Sequence, residues 1–254
     1  MLRFSSLGSG SRGNATLVEA GRSCVMVDCG FSCAETQRRL SRLGKSPSDI
    51  DAILVTHEHS DHIGGVATFA RRHAIPVWMT AGTSVMHNAT DLPSLDWFDG
   101  QMSFALGDLH ITPFPVPHDA REPCQFVFSD GAVRLGILTD TGSITAHIQQ
   151  QLTGCDALLL ECNHDVAMLA AGLYPPSLKQ RVGGSLGHLS NDQAAGLLSV
   201  LDTTRLTHLV AAHLSDKNNR PGLARATLAG VLGCELDWIG VADQTTGLDW
   251  RQVG

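Results

Sequence analysis

His57-Glu58-His59-Ser60-Asp61-His62 is the stretch on which the reading of this chain turns. Three imidazoles and a carboxylate crowd into one short run, in the pattern H-x-H-x-D-H. Neutral imidazole and carboxylate are the donors that borderline divalent metals prefer, and so many on one loop would be idle as plain surface. The apolar run Ala52-Ile53-Leu54-Val55 just before it predicts a buried strand, and Ile63-Gly64-Gly65 just after it opens a helical stretch. A ligand-rich loop at the end of a buried strand is where an open α/β sheet usually carries its site. The alternative is a solvated histidine-rich turn, which the agreement of strand, ligands and helix disfavours.

Outward from the motif, the first half predicts strands at 2–7, 15–19 and 23–28, with a hairpin at Gly21-Arg22. Helices are expected at 34–43, closed by Gly44, and at 63–73, before a strand at 75–79. The middle is β-rich, with strands at 102–106, 110–116, 125–129 and 133–138. The second half alternates: helix 144–152, strand 157–160, helices 166–171 and 192–201, strand 208–211, helix 223–232 and a closing strand 236–239. Two strand-rich halves, each finishing in α/β units, predict a sandwich of sheets with helices outside, as one domain over 1–254.

Composition leaves room for that core: 254 residues, 43% hydrophobic. No apolar run approaches a membrane span and no secretion signal is visible, so the expected location is the cytoplasm. The seven cysteines, an odd number, stand singly at positions such as Cys24, Cys29, Cys155, Cys162 and Cys234, and read as buried reduced thiols. Cys29 and Cys33 lack a second pair and are not counted as ligands. A net charge of −7 argues against a broad basic surface coating duplex DNA, although bound divalent ions would add a local positive field. The short basic clusters (Arg38, Arg39 and Arg42; Arg71-Arg72; Lys179 with Arg181) read as solvated helix faces. Aromatics, at 5%, offer no evident stacking platform.

One loop cannot close a two-metal site, and three more donors share its address at the end of an apolar run. They are His118, Asp140 and His213. With them the sequence resembles the metallo-β-lactamase-fold hydrolases, whose pattern is an early Asp, then H-x-H-x-D-H, a lone His, a lone Asp and a final His. Here these are Asp28, the 57–62 motif, His118, Asp140 and His213, across nearly the whole chain. The resemblance implies an α/β fold of αββα layers, two mixed β-sheets flanked by helices, with two divalent metal ions in a cleft at the sheet edges. His57, His59 and His118 would hold one ion and Asp61, His62 and His213 the other, with Asp140 bridging and Asp28 fixing the ligand loop by hydrogen bonds. Zinc, manganese or iron would suit these donors. A water or hydroxide between the ions is the implied nucleophile.

Function within such a fold has to come from local residues. The segment Gly187-His188-Leu189-Ser190-Asn191-Asp192 resembles a loop of the phosphodiesterase branches, in which the His protonates the leaving oxygen. That makes His188, with Asp61, the candidate catalytic pair. His188 could instead cap the next helix or exchange roles with His213 as the last ligand. A narrower resemblance is to the YycJ-type (WalJ-like) group. It rests on the 7–14 segment, Asp28-Cys29-Gly30, Leu160-Glu161-Cys162-Asn163-His164-Asp165, the 187–191 loop and His213-Leu214-Ser215-Asp216-Lys217-Asn218-Asn219. It implies a 5′-to-3′ exonuclease acting on single-stranded or end-exposed DNA. Ser11, Arg12 and Asn14 are candidate substrate contacts on a loop that is otherwise an ordinary tight turn. His164 is either a phosphate contact or a buried polar group beside Glu161. Nothing resembles the inserted helical arm of tRNA-processing members or a β-CASP cap domain. The competing readings are a small-molecule hydrolase (a cyclic phosphodiesterase or a glyoxalase II-type thioesterase) and a zinc-stabilised scaffold. The last is disfavoured because structural zinc sites are usually closed by four Cys or His ligands. The choice of metal, polymer type and oligomeric state are not legible in the sequence.

Overall fold

In the computed structural model, which describes residues 1–87 and 92–254, the apolar runs at 23–27, 52–54 and 157–161 are strands buried on both faces. The first half runs β1 (Leu2–Gly8), β2 (Ala15–Ala20), β3 (Ser23–Val27), α1 (Cys33–Arg42), β4 (Ala52–Leu54), α2 (Ser60–Ile63), α3 (Val66–His73), β5 (Val77–Met79), α4 (Ala81–His87) and β6 (Leu95–Trp97). The second begins with β7 (Phe104–Leu106), β8 (Leu109–Pro115), β9 (Cys124–Ser129) and β10 (Arg134–Leu138). It continues through α5 (Ala146–Leu152), β11 (Ala157–Glu161), α6 (Val166–Ala171), α7 (Pro176–Val182), α8 (Asn191–Leu198), β12 (His208–Ala212), α9 (Pro221–Leu232), β13 (Gly240–Val241) and β14 (Leu248–Val253).

Two seven-stranded sheets result, in the orders β14-β1-β2-β3-β4-β5-β6 and β13-β12-β11-β10-β9-β8-β7. Each is mixed. The β1–β2–β3 and β7–β8–β9–β10 portions are antiparallel, and β3 to β6 and β10 to β13 pair in parallel. Alternation within a strand decides which layer each side chain joins. Leu54, Phe126, Ile137, Leu159 and Val210 fill the space between the sheets. Ile53 and Met26 point the other way, against Leu40 and Phe69 of the helices over the first sheet. Leu158 and Leu160 do the same against Leu197 and Leu228 over the second. Three cores therefore separate four layers, the αββα sandwich expected from the sequence.

The differences from the sequence reading have local causes. The expected strand at 236–239 is a 3-10 turn, Leu236–Trp238, followed by the two-residue β13. Its apolar alternation misleads because Leu236 and Trp238 are 50% and 40% exposed. The expected helix 63–73 is two helices, α2 and α3, divided at Gly64-Gly65. There the Gly65 N–H donates to the Cys29 carbonyl at 2.8 Å, and a Cβ on Gly65 would overlap the Phe31 carbonyl oxygen.

Candidate metal centre

The site forms where strand ends from both sheets meet. Asp28 follows β3, the 57–62 loop follows β4, and His118, Asp140 and His213 follow β8, β10 and β12. Asp28, Asp140 and His213 have φ of 61, 53 and 53°, in the left-handed region that non-glycine residues rarely enter. Such a conformation costs on the order of 1–3 kcal/mol at each position and persists only where the surroundings enforce it. Here it turns the chain off the sheet at the residue whose side chain serves the cleft. Gly30 is a glycine for a similar reason: a Cβ there would overlap the Asp61 carbonyl oxygen. The 28–31 turn thus lies directly on the motif loop, held by Cys29 N–H to His62 O at 2.8 Å and Asn14 N–H to Asp61 O at 2.7 Å.

Hydrogen bonds give His57, His62, His118, His188 and His213 an outward nitrogen, whereas His59 turns Nδ1 to His118 Nε2 at 3.2 Å. His62 Nδ1 donates to Asp28 Oδ2 at 2.8 Å. His57 Nδ1 donates to Thr56 Oγ1 at 2.9 Å, and the Thr56 hydroxyl in turn donates to Asp28 Oδ2 at 2.9 Å. His118 Nδ1 donates to the Gly187 carbonyl at 3.0 Å. His213 Nδ1 and His188 Nδ1 share Glu161 Oε1, at 3.0 and 2.8 Å. The Nε2 atoms of His57, His62, His118 and His213 are turned into the cleft. His57 Nε2, His213 Nε2 and Asp140 Oδ2 are buried without a directed hydrogen bond, although Asp140 Oδ2 is 3.2 Å from His62 Nε2. Orphaned buried polar atoms are expensive. These converge in the groups His57/His59/His118, Asp61/His62/His213 and His57/His62/Asp140, each with ligand atoms within 4.8 Å of one another. The donor set fits divalent cations.

Charge reinforces the fit. Burial drives the His57 pKa well below its usual value, favouring the neutral ligand form. Burial opposes the charged form of His62 too, yet Asp140 and Asp28 lift its pKa well above the usual value. His213 loses by burial but is raised to about 10 by Asp140, Asp61 and Glu161. Burial would raise Glu161, but His188 and His213 hold it down at about 2. The buried carboxylates therefore favour the protonated forms of His62 and His213. A cation must displace those protons.

The structure brings together His57, His59, Asp61, His62, His118, Asp140 and His213, with Asp28 behind them. His188 lines the same cleft of about 310 Å³, its ring 5.2 Å from those of both His118 and His213. It does not cap the following helix: the Ser190 side chain accepts from Gln193 N–H at 3.2 Å and fills that role. Of the expected substrate contacts, only Ser11 lines the cleft. Arg12 turns outward to Asp216, at 3.1 Å, and its N–H donates to Gln244 Oε1. Asn14 is buried, with Nδ2 3.3 Å from Asp61 Oδ2, and so organises the ligand loop. His164 is 2% exposed, and its neighbour Asn163 lines the cleft in its place. His164 thus matches the buried polar group of the sequence reading, while Arg12 and Asn14 make protein contacts at the edge of the cleft and behind the ligand loop. Sequence reasoning gave no role to Glu161, although it ends the apolar run of β11, the same address that singled out His118, Asp140 and His213. Thr56, Tyr174 and Arg181 carried no comparable signal.

Fold and donor set together define a metallo-β-lactamase-fold hydrolase. The beta-lactamase superfamily domain matches residues 24–213. The chain is 36% identical to exodeoxyribonuclease YycJ of Bacillus anthracis over 239 residues, 91% of this chain and 89% of that protein. It is 34% identical to exodeoxyribonuclease WalJ of Streptococcus pneumoniae over 255 residues, 98% of this chain and 92% of the relative. The solved metallo-β-lactamase fold protein YhfI from Bacillus subtilis shares the fold with a TM-score of 0.76 at 16% identity, covering 99% of this chain and 100% of its own. The chain belongs to the beta-lactamase superfamily and, within it, to the group of the YycJ and WalJ proteins. Among the described residues no helix is long and apolar enough to cross a membrane.

Three outcomes follow from this geometry. Asp28→Ala frees both His62 Nδ1 and Thr56, and is expected to weaken divalent-metal affinity about 10–100-fold, measured by competition against a chelator. The raised pKa of His213 contributes stability that is fully present below its ordinary 6.5 and is lost as pH rises through about 10. The melting temperature of the metal-stripped protein should therefore fall across that window, and His213→Gln should flatten the fall. Metal affinity should rise over the same window, as protons cease to compete.

Proposed function

We propose that this chain is a metal-dependent phosphodiesterase that removes nucleotides from DNA ends in the 5′-to-3′ direction. The relatives named exodeoxyribonuclease support a nucleic-acid substrate. The observation that carries the reaction type is the pairing of His188 with the buried carboxylate of Glu161 beside the metal-ligand groups. An alkoxide leaving from a phosphodiester is a strong base and needs a proton, whereas a thiolate leaving from a thioester scarcely does.

His57, His59 and His118 would hold one divalent ion and Asp61, His62 and His213 a second, with Asp140 between them; zinc, manganese and iron all suit these donors. When bound, the ions supply Lewis acidity toward water and phosphate and offset the charge of the reacting diester. His213, whose Nε2 is buried and unpartnered, takes the last ligand position, leaving His188 for chemistry. His188 Nδ1–H is held by Glu161, so Nε2 is the atom from which a proton passes to the leaving oxygen. Glu161 also accepts the N–H groups of Thr141 and Leu189, each at 3.1 Å, and stabilises the imidazolium before transfer. The Asp61 carboxylate, 22% exposed and steered by the Asn14 amide at Oδ2, is the group to which the attacking water would lose its proton. Free thiols throughout the described residues suit a reducing cytoplasm.

The test is cleavage of 5′-labelled and 3′-labelled single-stranded DNA in manganese, beside bis-p-nitrophenyl phosphate. Release of the 5′ label first, as mononucleotide, is expected; cleavage of the small diester alone would move the assignment to a small or cyclic phosphodiester. His188→Ala should retain metal and fold while losing about 10²–10⁴ in kcat on DNA. Normal turnover by that variant would remove the general-acid role.

A further inference from the structure

The chain's single tyrosine lies in the cleft. Tyr174 precedes α7, and Leu178, Arg181 and Val182 of that helix line the same wall. Their spacing, i, i+3 and i+4, puts the three on one helical face. The wall therefore presents one planar ring, a small apolar floor and one guanidinium. Lys217 extends it from the opposite loop, with its ammonium 5.6 Å from the Tyr174 ring centroid. Arg181 is 62% exposed, and its Nε donates to Asp119 Oδ2 at 2.6 Å; Asp119 Oδ1 lies 3.5 Å from His118 Nε2. The guanidinium thus sits beside the ligand group of His57, His59 and His118.

We infer that this wall is a nucleotide subsite: Tyr174 stacks the base next to the scissile phosphate, and Arg181 with Lys217 holds the adjoining backbone phosphate. The inference rests on the phosphodiesterase reading above and adds how the polymer is held. A base and a phosphate need a flat apolar surface and a cation within one nucleotide's reach, and the segment from Tyr174 to Val182 supplies both. Aromatic stacking tolerates every base, as a non-specific nuclease requires. The aromatics are few, but one of them is in the cleft. Among the described residues, Tyr174 is the only aromatic lining it apart from histidines.

The experiment uses the metal-loaded full chain and two single-stranded oligonucleotides, one with an abasic residue at its 5′ end and one without. Wild type is expected to show a KM about 10-fold higher for the abasic oligonucleotide, the order of one lost stacking contact. Tyr174→Ala should raise KM for the normal oligonucleotide by a similar factor, change kcat little, and no longer distinguish the two substrates. Tyr174→Phe should restore the discrimination, which a merely structural role for the ring would not predict. Tyr174→Ala that raises KM equally on both substrates, or on neither, overturns the subsite. A wild type that cuts bis-p-nitrophenyl phosphate but no oligonucleotide overturns the polymer reading, and this one with it.

Discussion

Three carboxylates almost wholly removed from water, Asp28, Asp140 and Glu161, govern this molecule. An isolated buried carboxylate is tolerated only beside a compensating positive group with good hydrogen bonds. Each has that compensation from imidazole: Asp28 from His62, Asp140 from His62 and His213, Glu161 from His188 and His213. These pairings draw on the ends of β3, β4, β10, β11 and β12, and so span both sheets. The four-layer packing serves to bring those ends to one place. The left-handed turns at Asp28, Asp140 and His213 are tolerated for the same reason.

Within this balance the two ends of Glu161 have different duties. Its Oε2 is fixed by backbone N–H groups, and its Oε1 receives two imidazoles. One of them, His213, is 2% exposed and turns a buried nitrogen toward Asp61. The other, His188, keeps a side chain 21% exposed at the cleft. On the proposed reading, one carboxylate would orient a ligand and a proton donor together. The two cannot be told apart by sequence position, since each histidine is followed by Leu-Ser, in His188-Leu189-Ser190 and His213-Leu214-Ser215. Burial supports different roles for them.

Much of the fold was legible because its strands are short apolar runs ended by a polar donor, a pattern that survives without knowledge of partners. The donors that the structure gathers into one cluster were legible for the same reason. What escaped was set by tertiary context. The strand β14, with Leu248 and Val253 buried but Asp249, Arg251 and Gln252 exposed, lies at a sheet edge and carries little apolar signal. The helix α7 has no buried residue and earns its place by facing the cleft. Asn14 and Arg12 looked alike on a glycine-rich loop. Only packing showed one turned in toward Asp61 and the other out toward Asp216.

The net charge of −7 then ceases to conflict with a polyanionic substrate. Asp28, Asp61, Asp140 and Glu161 put four formal negative charges at the ligand cluster. Two divalent cations would supply roughly four positive ones while their imidazole ligands became neutral. Loading would thus replace histidine protons with metal charge and bring the cleft near neutrality. Outside the cluster, Asp119 is matched by Arg181, and Lys217 stands at the rim beside Tyr174. A phosphodiester entering the loaded cleft would meet little repulsion and two nearby cationic side chains. The same chain without metal would hold only histidine protons, and that on His213 is lost as pH rises through about 10. On the proposed reading, metal loading would be the electrostatic condition for holding phosphate, and a basic coat over the rest of the surface would be unnecessary.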